Sequence, residues 1–321
     1  MDELSGGKRL LMPAVETSGR IIVIGAVMAD TVCHVPAVPA PGEGVVVTER
    51  SVAVGGCAFN TVNAIRHVGG DAALFAPIGR GLCASYISEE LAARGMPLLR
   101  VDTDIDNGMC TVLVTPDGER TMVTSPGIER RFEPSWFDGI GASRFAIGIA
   151  TGYEIEGPGG DAIIGFFEDH PEIAFWYAPG PRIGGVSAEK TARINALHPV
   201  WHLNDQEACS YTGESTVEAA ARAIMAQTAS PVIVTEGSRG AAVFDGEERT
   251  FVAAHPVDAV DTIGAGDSHI GVIAACRAAG LPWQTALERA NAYASEVCRT
   301  SGATIDDARF AEVFPGGLRV R

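Results

Sequence analysis

The sequence predicts an α/β fold that carries a small β excursion. Three observations lead there. Ile21-Ile22-Val23-Ile24-Gly25 is a short, continuous apolar run ending in glycine, as in a strand buried on both faces of a parallel sheet. Near the other end, Asp261-Thr262-Ile263-Gly264-Ala265-Gly266-Asp267 sets a tight glycine turn ahead of an apolar small-residue run, Ile270 to Cys276, suited to a buried helix. Between them, Val45-Val46-Val47-Thr48 and Ser51-Val52-Ala53-Val54 read as strands too close for a helix to intervene.

Composition bounds the function. The 321 residues suffice for one large α/β domain or two small ones. A net charge of −16 argues against a nucleic-acid backbone as partner, which needs clustered Lys and Arg. It does not argue against a nucleotide, which needs only a local anion site. The seven cysteines are scattered without a C-x-x-C pair, which fits reduced thiols in a cytoplasm. No run approaches the ~20 apolar residues of a membrane span, so no membrane partner is expected. Residues 1–20 lack the apolar core of a signal peptide and read as a flexible leader, with 21–321 as one domain.

The elements follow in order. Asp30 falls just past the first strand, where open α/β sheets place ligands, although a turn Asp is equally common. Gly55-Gly56 precedes a helix from Thr61 to Gly69 with apolar residues at 62, 65 and 68. Ala73 to Gly79 reads as a strand and Ser85 to Arg94 as a helix. Cys110 to Thr115, Asp117-Gly118 and Arg120 to Thr124 make a hairpin signature. Arg144 to Ala150 and Ile173 to Tyr177 read as further core strands.

Val200 to Leu203 ends in Asn204-x-x-Glu207. That spacing suits a capping box, or two oxygen ligands on one face for a Mg²⁺ that keeps several waters. His198 and His202 have zinc-like spacing, but Pro199 breaks any helix between them and no third ligand is near. They read as structural. Pro231 to Gly240 is a strand running into a glycine turn, and no P-loop motif occurs. Ala290 to Ala303 begins as a small-residue helix.

The chemistry concentrates at Gly264 to Asp267. Unpaired N–H groups and the helix dipole make an anion site at such a turn. Asp267 at its edge is either a helix cap or a base that takes the proton of an attacking hydroxyl. The second layout is the one phosphoryl transfer wants.

Asp-Thr-x-Gly-Ala-Gly-Asp resembles the C-terminal signature of the ribokinase-like (PfkB) carbohydrate kinases. Gly55-Gly56 to Asn60, Asn204 to Glu207 and Thr235 to Gly240 match further motifs in the family's order. The resemblance spans Ile21 to about Ala303. It implies a Rossmann-like three-layer α/β/α sandwich with a β lid built from about 33–54 and 104–126. It implies an ATP-dependent kinase acting on a –CH₂OH group, with Asp267 as base and Gly264, Ala265 and Gly266 as the anion hole. Asp30, Gly55, Gly56 and Asn60 would bind the sugar. Asn204, Thr235, Gly237 and Gly240 would line the ATP site, with Asn291 edging the adenine. Asn204 and Glu207 would serve Mg²⁺, and Asp261 a monovalent cation such as K⁺. A homodimer through the lid is also family habit.

Departures stand beside the match. Arg80-Gly81-Leu82 lacks the usual acidic residue, and Ala178 replaces an Asp. Tyr153 and Glu154 are loose candidates for a substrate-binding Glu. Cys57 stands where ribokinases and phosphosugar kinases often have Lys, which lowers the option of an already phosphorylated substrate. A nucleoside kinase of the same superfamily remains the main alternative, with Phe59 or Tyr153 against a base. A degraded, non-enzymatic relative would be expected to lose Asp267, which is present.

Overall fold

Every residue of Arg20–Ile24 is buried. Ile21 and Val23 pack into one core, Ile22 and Ile24 into another. A strand with apolar partners on both faces needs a covering layer on each side, and that is what the unbroken apolar run encodes. Helices Cys57–His67, Ala265–Ala278 and Trp283–Cys298 close the first core. Helices Gly160–Asp169, Ala188–Ala196 and Val217–Thr228 close the second. The result is a three-layer α/β/α sandwich. This computed structural model describes residues 20–316 and 318–320. The leader expected at 1–20 falls outside them except for Arg20, which opens the first strand.

In chain order the strands are β1 (Arg20–Ile24), β2 (Met28–His34), β3 (Glu49–Gly55), β4 (Ala72–Phe75), β5 (Pro77–Ile78), β6 (Leu99–Arg100), β7 (Met109–Val114), β8 (Arg120–Ser125), β9 (Phe145–Thr151), β10 (Ala174–Ala178), β11 (Val200–Asn204), β12 (Val232–Thr235), β13 (Gly240–Asp245) and β14 (Glu248–Ala253). The main sheet has eight strands in the order β14-β13-β12-β11-β10-β9-β1-β4. It is parallel from β4 to β12, and β13 and β14 add an antiparallel edge. The chain runs from β1 to β4 on one side and later returns to β9 on the other. Such a reversal opens a crevice at the carboxyl ends of the strands. Thr151 lies beside Ala178 there, and Asn204 beside Thr235.

A second sheet, β3-β2-β7-β8, forms the lid. Its strands differ in part from expectation. Val45 to Thr48 is not a strand: Val46 and Val47 are exposed, and the ladder begins at Glu49. The partner strand is β2, whose Met-Ala-Asp-Thr-Val-Cys-His carries too little apolar alternation to announce itself. Asp30 therefore sits within a lid strand, opposite Ala53 and Cys110, rather than in a loop. The hairpin β7–β8 turns at Asp117-Gly118.

Two further corrections bear on the site. Ala73 to Gly79 splits into β4 and β5 at Pro77, which has no N–H to continue a ladder. The helix expected from Thr61 starts at Cys57, so Asn60 stands on its first turn.

Candidate active site

Gly264 caps the helix Ala265–Ala278 with φ 73°. A Cβ there would lie 2.1 Å from the Ala303 carbonyl oxygen, so the turn requires glycine. The Ala265 amide closes on Thr262 O at 3.3 Å. The next amides, of Gly266 and Asp267, belong to a first turn that supplies no helical acceptor, and the dipole adds positive potential. Asp267 does not cap this helix with its side chain. Its Oδ2 accepts from Asn60 Nδ2 at 2.9 Å, and the Cys57 thiol donates to the same carboxylate. Enclosure strips water from the group and pushes its pKa up to about 6, against the opposing pull of those two bonds.

Asn60 is buried, and its Oδ1 has no partner among the described residues. Asp30 lies against Gly55: a Cβ on that glycine would stand 1.8 Å from Asp30 Oδ2. Burial pushes Asp30 up to about 6 as well. Gly56, at φ 100°, approaches Ala26 O so closely that a Cβ would meet it at 2.5 Å. Asp30, Gly55 and Gly56 do not line the cleft that holds Asp267; the helix from Cys57 connects them to it.

That cleft measures about 490 Å³ and is lined by Asn204, Glu207, Thr235, Gly237, Gly264, Gly266 and Asp267 among others. A second cleft of about 510 Å³ shares Thr235, Gly237 and Gly266 and extends past Gly240 and Ala265 to His269 and Asn291. Together they form one trough along the strand ends. A separate cleft of about 670 Å³ between Leu99 and Trp136 contains none of the expected residues.

The capping box expected at Asn204 is formed: Asn204 Oδ1 accepts from Glu207 N at 2.7 Å, and Glu207 Oε2 from Asn204 N at 3.0 Å. This occupies one carboxylate oxygen, and burial raises the Glu207 pKa. No group of three or more His, Cys, Asp or Glu able to hold a metal occurs among the described residues. One Glu207 carboxylate oxygen stays outside the capping box, a donor that fits a Mg²⁺ keeping most of its waters.

Asp261 is already committed. Its Oδ1 accepts from Ile263 N, and its Oδ2 from Gly302 N, each at 3.0 Å. Arg120 Nη1 stands 2.7 Å from Oδ1. The residues present do not fit a further monovalent cation at this carboxylate.

Asn291 lines the trough with its amide fully used. Nδ2 donates to Val252 O at 2.9 Å and Ala253 O at 3.3 Å. Oδ1 must therefore accept from His269 Nε2, at 3.0 Å, which leaves His269 Nδ1 to accept from His202 Nε2 at 2.9 Å. Burial lowers both histidines, His269 to about 4, so the chain stays neutral. His198 bonds Thr228 O instead, so the two spaced histidines do not converge.

Of the looser candidates, Tyr153 lines the cleft, and Glu154 is buried off it. Glu154 accepts from Ala26 N at 3.1 Å and from Thr151 Oγ1, pinning the turn after β1 to β9. Ala178 lines the cleft. Arg80 pairs at the surface with Asp102 and Asp104. Sequence reasoning missed His269, two residues past Asp267, and Arg120, a lone arginine after a hairpin turn with no motif around it. It noted Cys57 only for the absent Lys, not for its bond to Asp267.

A helix turn with open amides, an enclosed carboxylate and a trough across the strand ends are the layout that an α/β phosphotransferase wants. The model of the pfkB family carbohydrate kinases matches residues 18–153 and 187–309, and the chain belongs to that family. The "Uncharacterized sugar kinase YegV" of Escherichia coli K12 is 34% identical over 297 residues, 91% of this chain and 92% of that one. The ribokinase of Thermotoga maritima superposes with a TM-score of 0.78 at 20% identity, over 91% of this chain and 98% of that one. An adenosine kinase from Sinorhizobium meliloti gives 0.77 at 19%, over 92% and 99%. At such identities the solved structures speak for the ribokinase-like fold.

Proposed function

We propose that this kinase transfers the γ-phosphate of ATP to a primary hydroxyl of a small carbohydrate. The observation that carries the reading is Asp267, an enclosed carboxylate held by Asn60 at the mouth of the Gly264–Asp267 turn. Asp267 takes the hydroxyl proton as that oxygen bonds to the γ-phosphorus. The bond from phosphorus to the bridging oxygen breaks, and ADP leaves with its electron pair. The first-turn amides, those of Gly266 and Asp267 foremost, hold the charge on the transferred group.

Asn60 Oδ1, buried and unpartnered among the described residues, is placed to accept from an acceptor hydroxyl. Asp30 serves the same molecule from the lid, with Gly55 and Gly56 giving it a close floor. Thr235, Gly237 and Gly240 line the nucleotide trough, and Asn291 shapes it through packing rather than a free amide. Mg²⁺, when bound, neutralises charge on the phosphates; Glu207, set by Asn204, would hold its water shell.

One observation favours a nucleoside acceptor as a second reading. Tyr153 is half exposed in the Asp267 cleft, where a base could stack, whereas Phe59 is buried in the core. The seven free cysteines support a reducing, cytoplasmic setting. A coupled ADP-release screen over sugars and nucleosides is the test. Turnover with sugars alone sustains the first reading, turnover with nucleosides alone selects the second, and none with either overturns both.

A further inference from the structure

Asp261 stands three residues ahead of Gly264, and its side chain is 3% exposed. A buried carboxylate beside a phosphate turn is costly twice over. It has lost its water, and it repels the anion that the turn receives. Some cation must offset it. Family resemblance implies a dissolved monovalent ion, but a guanidinium nitrogen already stands 2.7 Å from Oδ1.

The offsetting charge comes from the lid. Arg120 opens β8, opposite Val114 and just past the Asp117-Gly118 turn. Its Nη1 lies 2.7 Å from Asp261 Oδ1 and donates to Val260 O at 3.3 Å. The guanidinium thus touches one carboxylate oxygen and one main-chain carbonyl, the ligand types a monovalent cation would take. The contact spans 140 positions of sequence and joins the lid hairpin to the loop feeding the phosphate turn.

We propose that Arg120 is a tethered cation that replaces a dissolved monovalent ion at Asp261, making the phosphate turn indifferent to K⁺ and dependent on the lid. This rests on reading Gly264–Asp267 as the phosphate site. With the lid seated, Asp261 is compensated and the turn accepts an anion. With the hairpin lifted away, the bare carboxylate opposes it.

The probes are K⁺, Na⁺ and tetramethylammonium chlorides at one ionic strength, with the non-hydrolysable analogue AMP-PNP and Mg²⁺. Wild-type affinity should agree across the three salts to about twofold. R120Q should bind about tenfold more weakly in tetramethylammonium, as expected when a buried charge loses its partner, and regain most of that in K⁺. R120K, which keeps the charge, should fall nearer wild type. Without nucleotide, K⁺ should raise the Tm of R120Q saturably and leave that of wild type unchanged. Tightening of the wild type by K⁺ of about fivefold or more overturns the proposal. So does an R120Q that ignores K⁺ in both measurements. If the wild type binds no AMP-PNP in any salt, the phosphate-site reading falls, and the nucleotide-free titration still decides whether Arg120 fills a cation site.

Discussion

Asn60 Nδ2 donates to Asp267 Oδ2 across 2.9 Å, tying the helix that leaves the lid to the helix behind the phosphate turn. The bond takes one lone pair of the carboxylate and orients the other oxygen. It also leaves Asn60 Oδ1 facing away with no described partner. One amide therefore fixes the carboxylate and keeps an acceptor free for something else.

Asp267→Asn keeps the shape of this contact and removes the carboxylate proposed as the base. The expected result is near-normal MgATP affinity with kcat lowered roughly 10²–10⁴-fold, measured by ADP release with the best acceptor. A kcat within about threefold of wild type would exclude Asp267 as the base, since general-base losses are far larger.

The acid limb of kcat/KM should fall below about pH 6, where Asp267 and Asp30 gain their protons. His202 and His269 stay neutral through this range and add no limb of their own. The sign for stability follows from the raised carboxyl. Its contribution is full below the ordinary value near 3.8 and is lost as pH rises through about 6. Asp267→Asn should therefore melt higher than wild type at pH 7.5, with the gap closing toward pH 4. Thermal scans at both pH values check it.

Glu207→Ala should raise the Mg²⁺ concentration needed for half-maximal rate. The capping box is real, so some stability, about 1 kcal/mol, should go with it. A lost Tm with an unchanged Mg²⁺ titration would reduce Glu207 to its capping role.

Gly55→Ala drives a methyl into the Asp30 carboxylate, 1.8 Å from the new carbon. Asp30 must swing aside. The acceptor KM should rise about tenfold or more while the KM for ATP stays, at a stability cost of about 1–3 kcal/mol. Equal changes in both constants would take Asp30 out of the acceptor site.

The lid leaves Val52, Met122 and Val123 exposed, and β3 and β8 are open edges. The inner strands are partly covered by their own chain, where Ala29, Cys33, Val112 and Val114 are buried. Exposed apolar side chains on an open-edged sheet favour pairing with a second lid. Sedimentation over a wide concentration range should show a dimer that Val123→Glu weakens. A monomer at every concentration would remove this association.

Legibility in the sequence tracked the kind of force involved. Ile21 to Ile24 and Gly264 could be read because burial on two faces and a left-handed turn each demand particular residue types. The Asn204 spacing could be read, but it could not separate a cap from a ligand, because one geometry serves both. β2 stayed hidden because a lid strand half in water needs few apolar residues. Val45 to Val47 misled for the converse reason: β propensity without a partner makes no ladder. Arg120 and His269 left no local trace, since their roles arise only from contacts across the fold.

The lid's attachments have a mechanical meaning. Only Gly25 to Val27 separate β1 from β2, and only Gly56 separates β3 from the helix of Asn60. These two joints touch, Gly56 lying against Ala26 O, and Glu154 clamps Ala26 from below. The Gly56 joint lies between Asp30 and Asn60, so on the proposed acceptor site a lid raised by a bulkier molecule would part the two residues that hold it. Selection by size would then come with the joint itself, without a separate gate.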